Sequence, residues 1–243
     1  RRLAQEPEIA KQVQARLFPQ TQPALRTLDY AGVCIQARHV GGDYYDFLCL
    51  GPERIGLIIG DIAGKGIAGA LLMANLQANL RSQFSLARDE HQVFLQSVNR
   101  LFYENSVDSA YATVFFAEYD GKARLLRYTN CGHLCGLLLR QDGTLERLHS
   151  TGTVLGLFEK WEGPTRECPF EPGDVLALYT DGVTESFSLE GEEFGEDRLV
   201  ESLSSHREES ASGIVSAVVA DIQRFSPEEQ HDDITLIVAK CRI

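Results

Sequence analysis

Apolar residues recur along this chain with two different spacings, and the switch between them marks out the elements. Leu3, Ala10 and Leu17 recur every seven residues with Val13 between them, which predicts a helix over 3–18 that Pro19 and Pro23 end. Residues 28–38 and Tyr44–Leu50 read as strands, and Arg54–Ile59 is short, apolar and β-rich. Ala, Leu and Met then fall at helical spacing over 67–84, and a second helix is expected near 90–104. From Tyr111 the pattern returns to strands at 111–119, 123–130, 134–140 and 144–148, joined by turns such as Asp120-Gly121 and Asp142-Gly143. Pro172-Gly173-Asp174 introduces an apolar strand at Val175–Thr180; helices follow near 196–205 and 210–224, and Ile234–Lys240 closes as a strand. Strands come in long meanders and helices in pairs. This is not a βαβ alternation, so the expected class is α+β, with mainly antiparallel sheets and helices outside them. The simplest partition is an N-terminal helical linker over 1–22 and one domain over 23–243.

The bulk numbers narrow the chemistry. With 243 residues, 44% of them hydrophobic, the chain can bury a sizeable core. Its net charge of −12 argues against nucleic acid as a partner, since that needs a basic face. An acidic protein still binds an anionic substrate when metal ions reverse the local sign. No apolar run approaches the roughly 20 residues of a membrane span, and no signal peptide is present, so a cytoplasmic location is expected. Most of the six cysteines sit in apolar, strand-like runs and read as reduced core thiols. Cys131-Gly-His-Leu-Cys135 lacks a second ligand pair at matching spacing, which argues against zinc. The chain begins at Arg1 and its one methionine is Met73, so it reads as a fragment of a longer protein.

Four acidic spots share one local design. Gly41-Gly42-Asp43 opens the strand at Tyr44, Gly60-Asp61 ends the strand at Ile59, Asp181-Gly182 ends the strand at Thr180, and Asp232-Asp233 opens the strand at Ile234. Any one Asp-Gly pair is explained as a turn. Four, each abutting an apolar strand, suggest carboxylates converging on hard divalent cations such as Mg²⁺ or Mn²⁺. A competing signal is Gly64-Lys65-Gly66-Ile67-Ala68-Gly69, which fits the dinucleotide-binding fingerprint. The helix after it leads to another helix rather than a second parallel strand, and Asp61 would oppose a pyrophosphate. The glycines are better read as a turn that brings Asp61 and the Ile62 carbonyl to a metal. No nucleophile elbow occurs, and Cys131 and His133 are too close in sequence to react as a pair, so His133 reads as structural.

Five motifs in this order carry a family resemblance: Val40-Gly-Gly-Asp-Tyr-Tyr-Asp-Phe47, Ile59-Gly-Asp-Ile-Ala-Gly-Lys-Gly66, Asn130-Cys-Gly-His133, Leu178-Tyr-Thr-Asp-Gly-Val-Thr-Glu185 and His231-Asp-Asp-Ile-Thr-Leu236. Together they resemble the bacterial SpoIIE/RsbU-type branch of the metal-dependent, type 2C serine/threonine phosphatases. The resemblance implies a four-layer αββα sandwich with two Mn²⁺ or Mg²⁺ ions at one end of the sheets. It implies that Asp61 bridges both ions, that Asp181 and Asp232 complete one, and that Asp43 and the Ile62 carbonyl complete the other. Ile62 stands where the family often has glycine, and Cys131 where it has alanine; neither change removes a ligand. Arg38 is a possible counterpart of the phosphate-binding arginine of eukaryotic relatives.

The resemblance further implies a phosphorylated protein substrate, a STAS-type anti-sigma-factor antagonist in a partner-switching pathway, and a sensor domain upstream of the chain. A homodimer through the N-terminal helix would fit that arrangement. The alternative is a catalytically silent pseudo-phosphatase that binds a partner without turnover.

Overall fold

The structure, a computed structural model, describes residues 6–88, 90–107, 109–228 and 230–243. Among the described residues, ten strands form two five-stranded antiparallel sheets. The first contains β1 (Leu28–Ile35), β10 (Ile234–Cys241), β9 (Val175–Tyr179), β6 (Gly136–Leu139) and β7 (Leu145–Leu148), in that order. The second contains β2 (Asp43–Gly51), β3 (Arg54–Ile62), β4 (Ala112–Asp120), β5 (Leu125–Cys131) and β8 (Arg166–Pro169). Helices α2 (Gly66–Gln83) and α3 (His91–Glu104) cover the second sheet, and α5 (Gly195–Ser205) and α6 (Ala211–Phe225) cover the first.

The layering follows from strands that are apolar on both faces. In β3, Ile55, Leu57 and Ile59 enter the core between the sheets, while Ile58 and Ile62 meet Met73, Leu76, Phe94 and Val98 of the helices. In β10, Ile237 and Ala239 face the other sheet, and Leu236 and Val238 face Ile214 and Val218 of α6. A strand covered on both sides reads as an unbroken apolar run, which is why these segments stood out in the sequence. The four-layer αββα arrangement and the antiparallel pairing are as expected. Strand β8, the short helix α4 (Asp181–Thr184) and a 3₁₀ turn at Phe84–Arg88 were not foreseen. Strand β8 pairs only with β5 at a sheet edge, where Arg166-Glu-Cys-Pro169 needs no apolar alternation.

Helix α1 (Glu6–Ala15) starts inside the expected 3–18 span; Leu3 lies outside the described residues. The stripe does not all face one way. Leu17 and Phe18 pack against the core under α2, whereas Ile9 and Val13 stay exposed. The buried residue of the helix is polar: Gln14 donates to the Gly41 carbonyl at 2.8 Å and accepts from the Gly41 amide at 3.1 Å. A side-chain amide that satisfies both backbone groups of one residue can be buried at little cost, and apolar periodicity gives no sign of it.

Candidate metal centre

Strand register sets the first pair of carboxylates. Asp43, first residue of β2, stands directly opposite Asp61 near the end of β3. In the other sheet β9 and β10 pair antiparallel, and the Thr180 amide donates to the Thr235 carbonyl at 3.1 Å. The end of β9 therefore lies beside the start of β10. This brings Asp181, first residue of α4, next to Asp232 and Asp233, which precede β10. The two sheets are stitched together here: Asp43 Oδ2 accepts from Thr180 Oγ1 at 2.6 Å and from Thr235 Oγ1 at 2.5 Å.

The result is a cleft of about 330 Å³ at one end of the sandwich, lined by Asp61, Ile62, Lys65, Asp181, Glu185 and Asp232 among others, with Arg38 and His231 also at its wall. Asp43 lies buried behind this lining. The acidic groups load one another. Burial, then the charges of Asp181 and Asp232, push the Asp61 carboxyl up to about 7. Burial, then Asp61, holds Asp43 well above the usual carboxylate range. Burial and Asp232 raise Asp181, and burial and Asp181 raise Glu185.

Asp233 does different work from its neighbour. It is buried, accepts from the Ala37 amide at 2.9 Å and the Asp43 amide at 3.4 Å, and its carboxyl is raised chiefly by burial. It holds the turn that carries Asp43. Close packing enforces this: a Cβ on Gly41 would lie 1.7 Å from Asp233 Oδ2, and one on Gly182 would lie 1.9 Å from the Asp233 carbonyl oxygen. Gly42 likewise lets the Ile62 carbonyl come close, since a Cβ there would lie 3.1 Å from that oxygen. Ile62 keeps its side chain in the core under α2 and its backbone at the cleft.

Asp232 faces a cation that is already in place. Its Oδ2 accepts from Lys65 Nζ at 2.7 Å, and its Oδ1 accepts from the Asp233 amide at 2.9 Å. The contact with Asp232 raises the Lys65 ammonium above its ordinary value. Among the described residues, no group of three or more acidic, histidine or cysteine side chains is arranged to hold a metal ion as it stands. The Gly64–Gly69 segment links a strand to a pair of helices, and both sheets are antiparallel, so the dinucleotide reading has no βαβ unit to rest on.

All five positions singled out in the sequence, Asp43, Asp61, Ile62, Asp181 and Asp232, gather at this end of the fold. His133 is buried and does not line the cleft. Its Nδ1 accepts from Thr113 Oγ1 at 2.8 Å, its Nε2–H donates to the Tyr179 carbonyl at 2.9 Å, and burial lowers it to about 4, which fixes the neutral ring. Sequence reasoning missed Thr180, Thr235, Asp233, Glu185 and the Lys65 contact. Thr180 and Thr235 each stand beside or near an aspartate in a quoted motif, but a hydroxyl that braces a carboxylate has no spacing signature of its own.

A family model for Stage II sporulation protein E (SpoIIE) matches residues 51–242. Over 241 residues, covering 98% of this chain and 70% of the relative, the sequence is 31% identical to Phosphoserine phosphatase RsbU of Bacillus subtilis. Among solved structures, the SiaA-PP2C domain of Pseudomonas aeruginosa superposes with a TM-score of 0.87 at 19% identity, covering 98% of this chain and 97% of that one. The RsbU and RsbW domains of Rv1364c from Mycobacterium tuberculosis give a TM-score of 0.77 at 27% identity, covering 90% of this chain and 61% of that one.

Proposed function

The chain belongs to the SpoIIE family of protein serine/threonine phosphatases, and from that premise we propose that it removes phosphate from phosphoserine or phosphothreonine of a protein at this cleft. The observation that carries the reading is that Asp61, Asp181 and Asp232, from separate elements, line one cleft, with Asp43 paired opposite Asp61 behind it. Burial and the charges of Asp181 and Asp232 raise Asp61, and burial and Asp232 raise Asp181, an arrangement that opposes folding unless cations occupy it. The donor set is all oxygen, which suits Mn²⁺ or Mg²⁺. Asp43, Asp61, the Ile62 carbonyl, Asp181 and Asp232 are the groups that would hold such ions, two in number by the family resemblance. When bound, they supply a water nucleophile at neutral pH and neutralise charge on the phosphoryl oxygens. The chain's own residues position the groups around them. Thr180 and Thr235 fix the Asp43 rotamer, Asp233 fixes the preceding turn, and Arg38 adds positive charge at the rim.

The finer assignments rest on relatives. RsbU is a phosphoserine phosphatase by name, and the mycobacterial structure joins RsbU and RsbW domains. On that support the substrate is a phosphorylated STAS-type anti-sigma-factor antagonist in bacterial cytoplasm, acted on under control of an upstream sensor domain. Among the described residues, no helix is long and apolar enough to cross a membrane. The linker over 1–22 is the route for control. Exposed Ile9 and Val13 offer a seam for a second copy, and Gln14 grips the turn that carries Asp43. The test is hydrolysis of a phosphoserine peptide, and of a candidate phosphorylated antagonist, with Mn²⁺ and with EDTA. Turnover that needs Mn²⁺ supports the reading, and Mn²⁺ binding without turnover supports the pseudo-phosphatase.

A further inference from the structure

Lys65 sits where two anions would compete for it. Its side chain is exposed at the mouth of the cleft, between glycines whose backbones adopt φ of 147° at Gly64 and 67° at Gly66. Nζ reaches across the cleft to Asp232 Oδ2 at 2.7 Å, while the other carboxylate oxygen is engaged by the Asp233 amide. Each oxygen of Asp232 therefore already accepts one hydrogen bond, one of them from a unit positive charge. A divalent ion approaching that carboxylate must displace the ammonium, because two cations on one oxygen repel. The displaced ammonium stays near the cleft, since its anchor at the N-terminal end of α2 is packed closely: a Cβ on Gly69 would lie 2.4 Å from the Gly64 carbonyl oxygen. The next strongest anion to enter the cleft is the phosphoryl group of the substrate.

We propose that Lys65 is a substrate-binding residue held in reserve on Asp232: it neutralises that carboxylate until metal arrives and then binds the phosphoryl oxygens. This rests on the phosphatase reading above. The chemistry of the side chain suits the exchange. A lysine ammonium is a compact point charge on a flexible four-carbon stem, able to swing between partners without the fixed fork geometry that an arginine demands. Its two positions are linked. Lys65 opposes metal binding at Asp232 and favours phosphoryl binding beside it, so removing it has opposite effects on the two ligands.

The test uses Lys65→Met, which keeps the stem and removes the charge, together with Lys65→Arg. Mn²⁺ binding is measured by calorimetry on metal-stripped protein, and KM and kcat are measured separately on a phosphoserine peptide at saturating Mn²⁺. For Lys65→Met, Mn²⁺ binding is expected to tighten by about tenfold, the scale on which a charged neighbour alters metal affinity. KM is expected to rise by about tenfold, the loss of one charge-assisted hydrogen bond, with kcat changed much less. Lys65→Arg should retain most of both wild-type values. Mn²⁺ binding that is unchanged or weaker in Lys65→Met, or an unaltered KM, overturns the proposal. The metal arm needs no turnover, so inactive wild-type protein would refute the phosphatase reading without being mistaken for failure of this one.

Discussion

Asp61 carries part of an electrostatic cost that it shares with Asp43 and Asp181. Held up to about 7 by burial and by Asp181 and Asp232, against an unfolded value of about 3.9, it binds its proton more tightly in the folded, metal-free protein than in the unfolded chain. Its contribution to stability is complete below about pH 4 and is lost as pH rises towards 7. Asp61→Asn cannot ionise. Without metal it is therefore expected to be more stable than wild type, with an advantage that grows from about pH 4 to 7, levels off above, and reaches on the order of 4 kcal/mol. Urea unfolding at pH 5 and pH 8 measures this. The same variant should lose at least about a thousandfold in kcat/KM, because it removes the ligand shared by both proposed ions. Gly182 is governed by shape. With the Asp233 carbonyl oxygen 1.9 Å from the position of a Cβ, Gly182→Ala must push α4 away from β10. A loss of about 1–3 kcal/mol is expected, read as a fall in melting temperature, with activity lost beyond what the melting explains.

At the scale of elements, the site depends on how helices are tied to strands. Asp46, fully buried on β2, accepts from Arg81 Nε and a terminal guanidinium nitrogen of α2 at 2.7 Å each, and from the Tyr44 hydroxyl and the Phe47 amide. It fastens strand to helix rather than bracing the glycine turn. Asp46→Asn leaves Arg81 half-partnered and is expected to cost about 2–4 kcal/mol in denaturant unfolding, with kcat far less affected than by Asp61→Asn. Gln14→Ala removes both hydrogen bonds to Gly41. It is expected to cost about 1–2 kcal/mol and to lower kcat several-fold through the turn that carries Asp43. Unaltered kcat would show that α1 does not reach the site. These two contacts also show what the sequence could and could not convey. Strand β3 was legible because Ile55 to Ile59 are covered on both faces, and Asp61 because glycine and an apolar strand precede it. Gln14 and Asp46 were opaque because their partners lie 27 and 35 residues away, and polar pairing at that distance leaves no periodic trace. Strand β8 was hidden because an edge strand needs little apolar character.

Across the whole molecule, two sheets held by separate helical layers converge at one end, and the hydroxyls of Thr180 and Thr235 on one sheet grip Asp43 of the other. An excess of 35 acidic over 23 basic residues makes the chain repel anions at long range. A phosphorylated substrate is therefore received only where that sign is locally reversed. The cations proposed at Asp43, Asp61, Asp181 and Asp232 supply that reversal. The most direct measurement is a Mn²⁺ titration of metal-stripped protein, following phosphate release from a phosphoserine peptide and verifying metal content by elemental analysis. The account predicts no turnover without metal, recovery as Mn²⁺ fills the site, and loss again with EDTA. Full turnover in protein verified to be free of metal would contradict it.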